Sequence, residues 1–158
     1  MGPGFDCMAI AFDIWNTTTV DTNTNTTSYQ VIGEGSEYPD DMYAKLVHRC
    51  FNLAYTEIGI KPPHVKIHCE NDIPAGKGLG SSAATASAVA FGINELYKLD
   101  LSPAELLSFA ASGEIASAGV PHADNVAGSL FGGFTVVHHS SSYSMQTFSP
   151  PEQLKICL

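Results

Sequence analysis

Apolar residues recur along the chain with two periods, and the change from one to the other predicts the elements. His64 to Glu70 reads HVKIHCE, with Val65, Ile67 and Cys69 on one face, the alternation of a half-buried strand. Met42, Leu46, Val47, Cys50, Leu53, Ala54 and Ile58 keep helical spacing instead. They predict a helix over Asp40 to Ile58, opened by two aspartates where negative charge is favoured and ended by Gly59, Pro62 and Pro63. Ser81 to about Tyr97 forms a second helical run whose first three turns are mainly Ala, Ser and Thr. Residues that small let another element approach closely, so this helix is expected at the centre of the fold. Ser102, Pro103 and Glu105 make a capping pattern that starts a further helix running to roughly Ala118.

The remaining stretches read as strands and turns. Cys7 to Asp21 is expected to be a strand, or a short helical turn followed by a strand, and Thr22 to Thr27 a polar hairpin connection to a partner strand, Ser28 to Ile32, ending at Gly33. After Gly119 come a loop, a short helix from Ala123 to Leu130, a Gly-Gly turn and a strand from Phe134 to His138. Strands are also expected at Tyr143 to Phe148 and Leu154 to Leu158. The order of elements is α+β: a mixed sheet with helices packed on one face.

With 158 residues, the chain fits one domain with a real core. A hydrophobic share of 44% and a charged share of 15% are those of a globular protein. The net charge of −9 argues against a nucleic-acid backbone or an anionic membrane as partner. No apolar run reaches the roughly 18 residues of a membrane span, and nothing resembles a signal peptide. Cys7, Cys50, Cys69 and Cys157 form no CxxC pair and lie in apolar surroundings, which points to buried thiols in a reducing cytoplasm. The sequons at Asn16 and Asn25 are therefore read as polar loop or strand residues.

The chemistry concentrates in IPAGKGLGSSAATASAVA, Ile73 to Ala90, where a glycine-rich loop runs directly into a helix. Gly76, Gly78 and Gly80 can adopt backbone angles closed to other residues and bring N–H groups close to a ligand. The unpaired amides and positive dipole end of the helix that follows make an anion site, above all for phosphate. Ser81 and Ser82 stand at its start, able to cap the helix or to bind a metal or phosphate. The plainer reading is a tight loop into a serine-capped helix. A Walker A loop does not fit, because Lys77 precedes Gly78 and no lysine stands before the serines. The dinucleotide fingerprint does not fit either, since Ser81, Ser82 and Ala83 follow Gly80 where a further glycine is required.

PAGKGLGSSAA does resemble the phosphate loop of the GHMP small-molecule kinases, which wraps the phosphates of ATP. Two further stretches narrow the resemblance. GPGFD at Gly2 to Asp6 is similar to the end of the N-terminal signature of the homoserine kinase branch. EIASAGVPHADNVAGSLFGGF resembles that branch's middle signature, with Glu114, His122, Asp124, Asn125 and the paired glycines in register. Taken alone, Asp6 reads as a turn residue, and His122 and Asn125 read as helix caps.

The resemblance implies the GHMP fold with its left-handed βαβ crossover, against the usual right-handed rule. It also implies transfer of a phosphoryl group from ATP to the hydroxyl of L-homoserine, on the threonine pathway. Pro74, Ala75, Gly76, Lys77, Gly78, Leu79, Gly80, Ser81, Ser82, Ala83 and Ala84 would hold the nucleotide, with Gly78 to Ser82 on the triphosphate. Ser81 and Glu114 would hold Mg²⁺. Asp6 would bind the substrate ammonium, and His122 and Asn125 would line the substrate pocket and position the reacting groups. Asn125 stands where the mevalonate kinase branch has an aspartate thought to act as base, and an amide cannot remove a proton. The resemblance therefore implies catalysis by positioning and charge neutralisation, with no general base.

The family continues upstream of GPGFD through a first strand and is about twice as long, with arginines for the substrate carboxylate in its second half. Here the one arginine is Arg49. The expectation is a single incomplete domain over 1–158, the nucleotide-binding half of a homoserine kinase cut at both ends, with the C-terminal domain absent. A homodimer is compatible with this. The alternatives are another GHMP kinase, of mevalonate, shikimate or pantoate type, and a nucleotide-binding module without turnover.

Overall fold

A computed structural model describes residues 4–37, 50 and 64–156 of the chain, with side chains described except at 116–118. Its strands are β1 (Met8–Ile10), β2 (Asn16–Asp21), β3 (Ser28–Gly33), β4 (Lys66–Asn71), β5 (Phe134–His139) and β6 (Tyr143–Phe148). Its helices are α1 (Ser81–Tyr97), α2 (Pro103–Ala118) and α3 (Ala123–Phe131). The helix expected over Asp40 to Ile58 lies outside the described residues apart from Cys50, which is helical and buried.

The α+β class holds, but the strands divide between two sheets rather than forming one. β1-β5-β6 is antiparallel throughout, and β2-β4-β3 is mixed. β4 runs antiparallel to β2 and parallel to β3. The expected hairpin between β2 and β3 is therefore corrected: β4 lies between them, and residues 22–27 join two strands that never pair. Their alternation is compatible with either partner, and β4, with Ile67 and Cys69 buried and Val65 buried just before it, takes the inner position that its two-sided ladder requires. The parallel β3–β4 pair needs a long crossover, most of which falls outside the described residues, so the expected handedness falls there too.

Cys7 to Asp21 splits into a turn and two strands in different sheets. Cys7 N–H bonds Gly4 O at 3.3 Å, and Asp6 sits at φ 61°, so a tight turn precedes β1. The expected strand from Leu154 does not form: Leu154 to Ile156 is irregular, Leu154 N–H bonding Pro151 O at 2.9 Å in a turn. The last two residues of that expected strand, Cys157 and Leu158, lie outside the described residues.

α1 is the buried centre expected from its small residues. Ala83, Ala86, Val89, Ala90 and Ile93 are fully buried, and the helix packs on β2, α2 and α3. α3 lies against β1 and β5, so close that a Cβ on Gly128 would come 3.2 Å from the Ala9 methyl. The Gly132–Gly133 turn carries the chain from α3 into β5, with both residues at φ 69°. No helix among the described residues is long and apolar enough to cross a membrane. Cys50 and Cys69 are buried as expected, whereas Cys7 is only partly so.

Candidate active site

The site is built where β4 hands over to α1. Loop 72–80 keeps Gly76, Gly78 and Gly80 at φ 69°, 76° and 76°. At Gly78 an added Cβ would meet nothing within 4 Å, so backbone angle, not space, demands glycine there. At Gly80 a Cβ would stand 3.7 Å from Asn125 Cβ, which shows how near the loop's end lies to α3. Ile73 is buried and roots the loop, Pro74 and Ala75 are half-buried, and Lys77 is exposed at the turn.

α1 begins without a side-chain cap and without an acidic residue in its first turn. Its first internal bond runs from Ala84 N–H to Gly80 O at 2.9 Å. The amides of Ser81, Ser82 and Ala83 thus have no acceptor within the helix. The expected serine cap is therefore corrected: Gly80 holds the N-cap position, and Ser81 and Ser82, the first two residues of the helix, bond elsewhere. Ser81 Oγ accepts from Asn71 Nδ2 at 2.8 Å. Ser82 Oγ donates to Glu114 Oε1 at 2.6 Å. The Ala83 methyl is in the core, leaving only its backbone to face a ligand.

Glu114 reaches this point from α2 and is 1% exposed. His122 Nδ1 approaches the same Oε1 at 3.8 Å from the start of α3. Ser82 is the serine that bonds the Glu114 carboxylate, while Ser81, expected with Glu114 on Mg²⁺, bonds Asn71. His122 occupies the N-cap position of α3, but its side chain makes no capping bond, so the plain reading of it as a cap is corrected. Asp124 is buried in the first turn of α3, where the dipole favours its charge. The structure therefore brings together the loop, Ser82, Glu114, His122 and Asn125. Asp6 is exposed in the turn before β1.

Beside the loop lies an open cavity of about 410 Å³, walled by Leu79, Gly80, Ala84, Phe91 and Asn125 and by the β1–β2 connection including Trp15. It is mainly apolar, in the size range of small-molecule sites.

Two residues escaped the sequence reading. Asn71, 2% exposed, and Asn16, half-buried, tie the sheet to the loop and to α1. Asn71 carried a readable signal, because it continues the buried register of Val65, Ile67 and Cys69 as a polar residue. Asn16 carried none beyond its sequon, and its bonds to Asn71 and Thr85 span 55 and 69 positions.

The end of the glycine loop, the uncapped start of α1, the buried Glu114 carboxylate and the His122 imidazole thus meet at one place in the fold. The chain matches the GHMP kinases N terminal domain over residues 45–133, and it belongs to that family. It is 36% identical over 146 residues to a homoserine kinase of Sulfurisphaera tokodaii, covering 92% of this chain and 47% of that protein. With a homoserine kinase of Natronomonas pharaonis it shares 41% over 137 residues, covering 86% and 45%. The crystal structure of homoserine kinase from Cytophaga hutchinsonii superposes with a TM-score of 0.76 at 29% identity, over 94% of this chain and 48% of that one. The chain spans about half the length of the curated relatives it matches.

Proposed function

We propose that this chain is the nucleotide-binding part of an ATP-dependent homoserine kinase, transferring the γ-phosphoryl group of ATP to the hydroxyl of L-homoserine. The observation that carries the reading is the open start of α1, with three unpaired amides behind the glycine loop and Glu114 held at its edge by Ser82. The names of the relatives supply the acceptor.

In this reading the amides of Gly78 to Ser82 and the dipole of α1 neutralise charge on the triphosphate. Ser81, Ser82 and Glu114 offer hard oxygens, and no group of three His, Cys, Asp or Glu gathers among the described residues. That donor set fits Mg²⁺, which takes one or two protein oxygens and completes its shell from phosphate and water. The ion would supply charge neutralisation at the phosphates. Asn125, beside Gly80, orients the acceptor hydroxyl, and His122 holds the substrate side of Glu114. Neither is required as a base, because a loose phosphoryl-transfer transition state demands little nucleophile activation. Asp6 binds the substrate ammonium from the turn before β1.

A second reading follows from length. The chain's one arginine, Arg49, lies outside the described residues, and the relatives have as much chain again. On this reading the 158 residues hold ATP without turnover. The deciding experiment is ADP release with homoserine, mevalonate, shikimate and pantoate, run on this chain and on this chain fused to the second half of a homoserine kinase relative. Homoserine-dependent release by the fusion supports the kinase. Preference for another acceptor overturns it, and turnover by the chain alone overturns the second reading.

A further inference from the structure

We infer that Asn71 is a positioning residue that sets the aperture of the phosphate loop, with Asn16 bracing it from behind; the inference rests on the loop's assignment to a triphosphate. Asn71 is the last residue of β4, and its side chain reaches both ends of the loop. Its Oδ1 accepts from Ile73 N–H at 3.2 Å where the loop begins, and its Nδ2 donates to Ser81 Oγ at 2.8 Å where the loop ends. One amide therefore spans the base of a glycine-rich segment that has little stiffness of its own.

The base is fixed in turn to the sheet. Asn71 Nδ2 donates to Glu34 O at 2.8 Å, and Asn71 O accepts from Glu34 N–H at 2.8 Å. The backbone bond extends the β3–β4 ladder one step past its last pair, and the side chain adds a second bond to the same residue. The approach is so close that a Cβ on Gly33 would meet Asn71 O at 2.4 Å. On the opposite side Asp72 N–H bonds Trp15 O at 3.0 Å. Asn16 donates to Asn71 Oδ1 at 3.4 Å and to Thr85 Oγ1 at 2.9 Å, linking the clamp to the next turn of α1.

The chemistry specifies an amide. With Glu34 O as one neighbour, the side chain must present Nδ2 there, since its oxygen would face a carbonyl. Nδ2 is a donor only, so Ser81 must accept. That leaves the Ser81 proton and one lone pair for a ligand, and directs a hydroxyl that would otherwise fold back onto its own helix end. A carboxylate could make none of these donor contacts, and serine at 71 could not reach residue 81.

The test compares affinities of ATP and AMP for the wild-type chain and for Asn71→Ser and Asn16→Ser, alongside amide hydrogen exchange at Ile73 without ligand. Loss of the clamp is expected to cut the ratio of ATP to AMP affinity at least tenfold in Asn71→Ser and about threefold in Asn16→Ser. Ile73 exchange should rise with the same ranking. A merely structural loss of folded protein scales both nucleotides equally and leaves the ratio in place, which would overturn the inference. If Asn71→Ser does not fold, an unchanged ratio and unchanged Ile73 exchange in Asn16→Ser overturn it alone. A wild-type chain that prefers neither nucleotide removes the triphosphate assignment itself, whereas a selective wild type with unchanged variants removes only the clamp.

Discussion

Two helix starts in this molecule meet the same physical problem in opposite ways. At α2, Ser102 Oγ accepts from Glu105 N–H at 3.4 Å and Glu105 Oε2 accepts from Ser102 N–H at 2.8 Å, a complete capping box with proline at the first turn. At α1 the N-cap is Gly80, which has no side chain to cap with, and no acid enters the first turn. The amides that α2 satisfies from its own sequence are left open at α1, behind a loop with three left-handed glycines. The difference teaches that α2 satisfies its first turn from its own sequence, whereas α1, with glycine at its N-cap, leaves that to a group from outside the helix.

The largest effect should come from closing the loop. Gly80→Val forces a β-branched residue to φ 76° and pushes its side chain toward Asn125. We expect ATP affinity to fall on the order of a hundredfold by calorimetry, about 2.7 kcal/mol. Next, Glu114→Gln removes the charge that Ser82 and His122 address. Homoserine-dependent turnover of the fused enzyme should fall on the order of a hundredfold, the scale seen when one preorganised electrostatic group is lost. Retained turnover would show that Glu114 is only a helix-packing residue.

Ser81→Asp then makes α1 resemble α2. An acid in the first turn should raise thermal stability by about 0.3–1 kcal/mol while weakening ATP binding about tenfold. Stability and affinity moving apart would sharpen the comparison; moving together would break it. The smallest change belongs to α2: Ser102→Ala should lower stability by about 1 kcal/mol and leave ATP affinity as it was. The same cap is pH-dependent. Its side-chain and backbone bonds with Ser102 lower the Glu105 pKa. The stability it adds is present above the unfolded value, near about 4.3, and is lost as pH falls through the lower folded value. The gap between the thermal melts of the wild type and Ser102→Ala should therefore narrow in acid, leaving the part owed to the Glu105 N–H bond, which does not titrate.

The bounds of α1 and the cap of α2 were legible because their signals are local: small residues at helical spacing, and serine, proline and glutamate in capping order. β4 was legible from Val65, Ile67 and Cys69, and the Gly-Gly turn from its two glycines. What the sequence hid was pairing. Nothing in the alternation of β2 and β3 says that β4 will come between them, because period two identifies a face and not a neighbour. The site divided in the same way. The loop, Glu114, His122 and Asn125 could be picked out as motifs, but the choice of Ser82 over Ser81 as the partner of Glu114 depends on how α2 crosses α1. Asn71 and Asn16 act through partners on other elements and were missed for that reason.

The central claim is that the start of α1 is an open anion site tuned to a triphosphate. Calorimetric titration of this chain with ATP and AMP in Mg²⁺ tests it most directly. The account predicts that ATP binds at least tenfold more tightly than AMP; equal affinities, or binding of neither, would contradict it.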